Sequence, residues 1–404
     1  MVGITGALMA VALVVVGLFV VVRGTGGSTS CDPDAGGWNG AGGGPRQTGF
    51  APGAIHDPKP GWHPSWQYPA AGARGAERVA APPSEANGSV YTTNIDGTLV
   101  ALDAASGARQ WTSAPAPGEQ GVVQVPIALD GCAAVVATSF QSASGNPAGV
   151  LRAVDLRTRQ RRWSVRAADE IFSAPQVVDG VAYAGLSFAT TTGSLDRIHV
   201  LDGYYLGDGS AAYRKRFAAA ILASPTSDHQ RIWVGDLDQN LYALGPGGRQ
   251  LWTYTTGGIV SLPALYDGSS VVMDSADRHV AALDPASGRE KWTAQVGEVQ
   301  AAMAERAGEV LVAELGGLVH AFGASGGAER WRHDVGARIS HAVVAAGDRI
   351  VVVDDGGTVH VLDAASGSET ASWTAPAPPA GPAAIGAGHL YLTCTDGRLY
   401  ALPL

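Results

Sequence analysis

Residues 282–292 read ALDPASGREKW, and residues 101–111 read ALDAASGARQW. The same phrase returns as LYALGPGGRQLW at 241–252, VHAFGASGGAERW at 319–331 and VLDAASGSETASW at 361–373. A drifted copy, LRAVDLRTRQRRW, ends at Trp163. Self-similarity at a period of about 40 residues marks a propeller or solenoid. An array of this kind supplies a rigid surface, so chemistry has to come from residues that break the repeat.

Working outward from the phrase, each unit reads as strands joined by tight turns. A β-rich run such as Val90-Tyr91-Thr92-Thr93 is followed by Asp96-Gly97. Asp-Gly suits the positive φ angles of a two-residue hairpin. The next strand, Thr98 to Leu102, leads into a second turn with Asp103 and Gly107. There the carboxylate caps the turn and the glycine takes the left-handed position. A last strand bears the Trp. An apolar run before each unit, with Pro126, Pro175, Pro225 or Pro263, adds a fourth strand. Four antiparallel strands make one propeller blade.

The last-strand aromatics count the blades. They are Trp111, Trp163, Trp252, Trp292, Trp331 and Trp373, with Tyr213 in the irregular third unit. The unit at 382–404 stops after its third strand, and Ser65-Trp66-Gln67-Tyr68 lies before the first full unit. A ring without exposed edges results if the Trp66 strand completes the last blade. The expectation is an all-β, eight-bladed propeller of four-stranded antiparallel blades. Seven blades remain open if 171–217 is not a blade.

The motif A-x-D-x-x-[ST]-G-x-x-x-W resembles the tryptophan-docking repeat of bacterial PQQ-like (quinoprotein) propellers. The stretch from Trp38 through Thr48-Gly49-Phe50-Ala51-Pro52-Gly53 is similar to the entry segment that precedes such propellers. The resemblance runs from about Trp38 to the C-terminus. It implies the fold. It leaves activity open, because the family holds both quinone-dependent dehydrogenases and cofactor-free, BamB-like envelope scaffolds, and fold does not carry function.

Residues 3–22 form an uncharged apolar run, about 30 Å long as a helix and enough to span a bilayer. No Ala-x-Ala-like cleavage site follows. The expected organisation is therefore a transmembrane signal anchor over 1–23, a Gly/Ser-rich linker over 24–44 and the propeller over 45–404. Arg23 is one weak vote for a cytoplasmic propeller, which large following domains override. The expected location is the cytoplasmic membrane, single-pass, with the propeller outside.

A net charge of −9 argues against nucleic acid or anionic lipid as the main partner. Cys31, Cys132 and Cys394 permit at most one internal disulfide, and two buried free thiols are expected. His199, His320 and His360 are expected in one third-strand column with Val100, Arg152, Tyr242, Ala281 and Tyr400, as packing residues and not metal ligands. Most Asp residues, such as Asp96, Asp284 and Asp363, have a sufficient role in turns. Adjacent cysteines and the long cofactor-enclosing insertions of quinone enzymes are missing, as are H-E-x-x-H, G-x-S-x-G and P-loop patterns. No catalytic residue, metal site or cofactor is expected, PQQ and Ca²⁺ included.

Function then falls to the irregular loops, 141–149 in the second blade and 189–196 and 203–212 in the third. The expected interaction surface comprises Tyr204, Tyr205 and Tyr213. A second candidate is the channel mouth with Gln124, Ser173, Ser224, Ser261 and His341. The leading reading is a non-catalytic scaffold that binds a protein in or on the membrane, within an envelope complex or its assembly. The alternatives are a PQQ-dependent alcohol or sugar dehydrogenase, or an extracytoplasmic ligand sensor.

Overall fold

The computed structural model describes residues 41–44, 46, 49–51, 63–69, 75–122, 125–130, 132–141, 147–167, 170–189 and 197–404. The chain divides into two units, residues 1–31, which lie outside the described set, and residues 32–404. The expected anchor over 1–23 and the linker up to residue 40 also fall outside it. Among the described residues no helix is long and apolar enough to cross a membrane.

Eight sheets form the propeller. Blades 1 to 7 span 84–113, 128–167, 176–217, 226–255, 265–295, 304–334 and 344–374. Blade 8 takes three strands from 384–403 and its outermost from Trp66–Tyr68, which pairs antiparallel with Leu399–Pro403. Each blade runs a, b, c, d from the axis outward. Antiparallel order puts the b–c turns and the d-to-a linkers on one face of the ring. The a–b and c–d turns lie on the other. Seven blades are excluded, because residues 176–217 make a complete four-stranded sheet.

The core lies between blades. One apolar cluster joins Ala304, Leu311 and Ala321 of blade 6 to Ala345, Ile350 and Leu362 of blade 7. Small and β-branched side chains suit sheets that press face to face near the axis. Aromatics close the wider outer seams. Trp66, Trp163, Trp252, Trp292 and Trp331 each donate Nε1–H to a carbonyl in the c–d turn of the next blade: Ala104, Leu206, Pro285, Ala324 and Ala364. Each indole also lies against that turn's glycine, so a Cβ built on Gly327 would stand 2.7 Å from the Trp292 ring. The glycine is required twice over, by this approach and by a φ of +68°.

Three seams depart from the pattern. At blade 2 the glycine position holds Arg159, still at φ +64°. Trp111 has no indole-to-carbonyl bond among the described residues. At blade 3 the docking aromatic is Tyr213, paired with Gly203 as Trp111 pairs with Ala101. At blade 7 Ala371 holds the docking register opposite Val361, and Trp373 pairs two residues further along, with Val359. From there it packs against the apolar cluster shared by blades 7 and 8, its ring 6.5 Å from that of Tyr400. The d strand of blade 8 comes from residues 66–68, so among the described residues that blade has no c–d hairpin.

Two further expectations are corrected. Cys132 is disulfide-bonded, and among the described residues Cys394 is the free buried thiol, where two free thiols were expected. Burial pushes the Cys394 thiol up to about 12. His199 is not in the histidine column. The register set by Tyr213 opposite Gly203 puts Asp202 there. His199 sits three residues nearer the hairpin tip, with its Nδ1 2.8 Å from Ser187 Oγ.

Candidate interaction face

The b–c face carries the least regular features of the ring. In blade 1 the b and c strands have five residues each, Ser89–Thr93 and Leu99–Asp103. In blades 2 and 3 they have nine: Ala133–Gln141 with Pro147–Asp155, and Val181–Ala189 with Arg197–Tyr205. The ladder of the first pair stays in register from Ala133↔Asp155 to Gln141↔Pro147. The added length therefore stands as paired strand beyond the turns of the neighbouring blades.

Most of the exposed apolar side chains share the face from which these hairpins rise. Ile95, Val122, Phe172, Tyr205 and Ile259 are the large hydrophobics left exposed among the described residues, and Phe172 is 51% exposed. All but Tyr205 lie in b–c turns or d-to-a linkers, hence on this one face. Three of them follow one line of hydrogen bonds. Gly121 N donates to Asp96 O beside Ile95, Val122 pairs with Ser139, and Ile171 N donates to Ser139 Oγ next to Phe172. The guanidinium of Arg166 lies 6.0 Å from the Phe140 ring at the edge of this arc. Stranded apolar groups rimmed by polar ones mark interaction surfaces in soluble domains.

The channel opens on the same face. Val125, Phe172, Leu262, Gln300, His341 and Pro382 line a cavity of about 190 Å³ whose wall also includes Gly42. Gly42, of the expected linker, thus reaches into the channel. Phe50–Ala51 adds a parallel strand inside it, on the axial edge of Val344–Ala346. Tyr266 N donates to Arg46 O, and Gly49 packs against Ala304. Burial lowers the His341 pKa from its ordinary value, although Asp355 opposes the shift.

This wall does not fit a quinone with Ca²⁺. No carboxylate stands among the described residues that line it. Ca²⁺ takes six to eight oxygen ligands, and small-molecule pockets run from about 300 Å³ upward. Nowhere among the described residues do three His, Cys, Asp or Glu side chains come together as a metal site.

The other expected residues disperse. Tyr204 is a correction. It is 5% exposed, its hydroxyl donates to Asp202 Oδ2 at 2.8 Å, and its ring lies 6.1 Å from Trp163. Residues 203–212 are not an insertion. They complete a c strand, make the same turn around Gly209, and enter the d strand. Ser173 is also buried, tying blade 3 to blade 4 through Oγ–H to Ala223 O. Ser224 and His341 line the cavity, Ser261 is half-buried, and Gln124 lies outside the described residues. Tyr205 and Tyr213 belong to the opposite face.

The histidine column is richer than packing. His320 sits between Glu314 and Glu329, at 2.9 and 2.7 Å. His360 sits between Asp354 and Glu369, at 3.4 and 3.0 Å. The spacing was readable: an acid six residues before each histidine and a Glu nine after it.

A family profile described as outer membrane protein assembly factor BamB matches residues 57–206, 147–315 and 276–404. The chain belongs to this family. BamB of Burkholderia pseudomallei (strain K96243) is 30% identical over 122 residues, which is 30% of this chain and 29% of that protein's length. The crystal structure of BamB from Moraxella catarrhalis superposes with a TM-score of 0.63 at 17% identity, over 80% of this chain and 96% of that one. A quinohemoprotein alcohol dehydrogenase from Comamonas testosteroni gives 0.70 at 13% identity, over 91% and 80%. The computationally designed protein Ika8 gives 0.67 at 14%, over 82% and 97%. At these identities the structural matches show the shared fold alone.

Proposed function

We propose that the chain is a non-catalytic scaffold, tethered through residues 3–22 with its propeller outside the cytoplasmic membrane. It docks a protein partner in or on that membrane during envelope assembly. The docking surface is the b–c face across blades 1 to 3. One observation carries the reading: four of the five exposed large hydrophobics, Ile95, Val122, Phe172 and Ile259, lie on the face from which the two long hairpins rise. BamB kinship supports it, since that family is described as an outer membrane assembly factor.

The test is site-specific photocrosslinking of the full-length chain in its native membrane. A crosslinker at position 172 should give a defined adduct that one at position 205, on the opposite face, does not. Val122→Glu should deplete that adduct while the thermal midpoint stays unchanged. Equal adducts from both faces, or saturable PQQ binding with dye reduction by alcohols, would overturn the reading. Protease added to intact spheroplasts should shed the propeller, and protection would reverse the assigned side.

A further inference from the structure

The seam between blades 3 and 4 is the one closed by a tyrosine. Tyr213 reaches the turn glycine of the next blade, where a Cβ on Gly248 would stand 3.0 Å from its ring. A phenol lacks the second ring of an indole, and it has no N–H to donate to the turn. The seam stays open on the c–d face as a cleft of about 300 Å³. That lies at the lower end of the range small-molecule sites occupy, about 300–1,000 Å³.

The walls are aromatic and the rim is polar. Tyr183 and Tyr213 meet edge to face at 5.7 Å, and Tyr205 is 52% exposed at the mouth. The Tyr213 hydroxyl is buried with no hydrogen-bond partner among the described residues. Burial also pushes its pKa well above the ordinary value, so it is a neutral donor. Two turns from different blades meet at the rim, where His229 Nδ1 lies 2.9 Å from Asp179 Oδ1. Arg231 is held by Asp228 at 2.8 Å, and Gln230 stands between these pairs.

This chemistry selects a ligand class. Arg231 is held by Asp228 and Asp179 by His229, so each charged group at the rim already has a hydrogen-bonded partner. The cleft offers a donor and an acceptor in Gln230 and further acceptors in the Asp179 carboxylate, which has lone pairs beyond its histidine bond. Carbonyl-only ligands, such as a polyproline strand, bring acceptors alone and leave the acceptor side unmatched. Ring hydroxyls are donors and acceptors at once, and the C–H face of a sugar lies well on an exposed phenol. We propose that the cleft between blades 3 and 4 binds a neutral saccharide, with one ring seated on Tyr205 and its hydroxyls on Gln230 and Asp179. The site is on the face opposite the docking surface and stands or falls independently of it.

Saturation-transfer NMR of the full-length chain tests this, with maltose, cellobiose and N,N′-diacetylchitobiose as probes and a proline-rich peptide as competitor. At least one disaccharide should bind with a Kd tighter than about 10 mM. Tyr205→Ala, at an exposed position, should weaken it about 10-fold or more. Tyr213→Trp restores the docking ring, fills the cleft, and should abolish transfer with the thermal midpoint unchanged or raised. Transfer from none of the three disaccharides overturns the proposal. So does undiminished binding in a folded Tyr213→Trp variant, or displacement of every sugar by the peptide.

Discussion

Replacing Gly327 by Ala isolates what one indole does for a seam, provided Gly308→Ala is measured beside it. Both glycines have positive φ, +68° and +78°. Both substitutions therefore carry the left-handed backbone penalty, about 1–2 kcal/mol. Only Gly327 faces a ring. Its new Cβ would stand 2.7 Å from Trp292, whereas nothing lies within 4 Å of one on Gly308. Overpacking of this kind costs about 1–3 kcal/mol. The displaced indole also gives up its bond to Ala324 O, 2.7 Å long, worth about 1 kcal/mol. Gly327→Ala should thus exceed Gly308→Ala by about 2–4 kcal/mol. At about 2.1 cal/mol/K per residue over roughly 350 residues, that is a gap in midpoint of about 3–5 °C. Thermal melts followed by near-ultraviolet circular dichroism read it directly. Midpoints within about 1 °C of each other would refute the claim that the indole is wedged on the glycine.

Two other perturbations probe the irregular sites. Arg159→Gly should stabilise the protein by about 1–2 kcal/mol, because it relieves the positive φ; a neutral or destabilising effect in urea titration would count against that account. Asp274 is buried with an unpartnered Oδ1, and burial pushes its carboxyl up to about 7. Between about pH 4 and 7 the folded chain keeps a proton that the unfolded chain has lost, so stability falls as pH rises through that window. Asp274→Asn should remove this slope, matching the parent at pH 4 and exceeding it at pH 8 by on the order of 4 kcal/mol. Identical pH–stability profiles would show that the carboxyl is solvated.

The strands, the turns and the count of eight blades were legible because each is local and each is repeated. Asp-Gly pairs, left-handed glycines and alternating apolar runs act within one unit, so the period alone reveals them. Even the closing strand at Trp66 could be read, since a ring with an unpaired edge is unstable against association. What an aromatic meets on the next blade is a different matter. Trp373 fits the pattern, yet it pairs two residues beyond the docking register and meets Tyr400 of the next blade. Trp111 keeps the motif while its partner turn holds Arg159. Tyr204 and Tyr205 are neighbours in sequence, and strand alternation sends one into a seam and the other to solvent. The same holds for the two surfaces of interest. The apolar arc needs the b–c turn of blade 1 beside the linkers into blades 2 and 3, and the tyrosine cleft needs turns of blades 3 and 4 side by side. Such contacts join residues about 25 to 50 positions apart, and they are set by strand register and ring closure, which no local pattern contains.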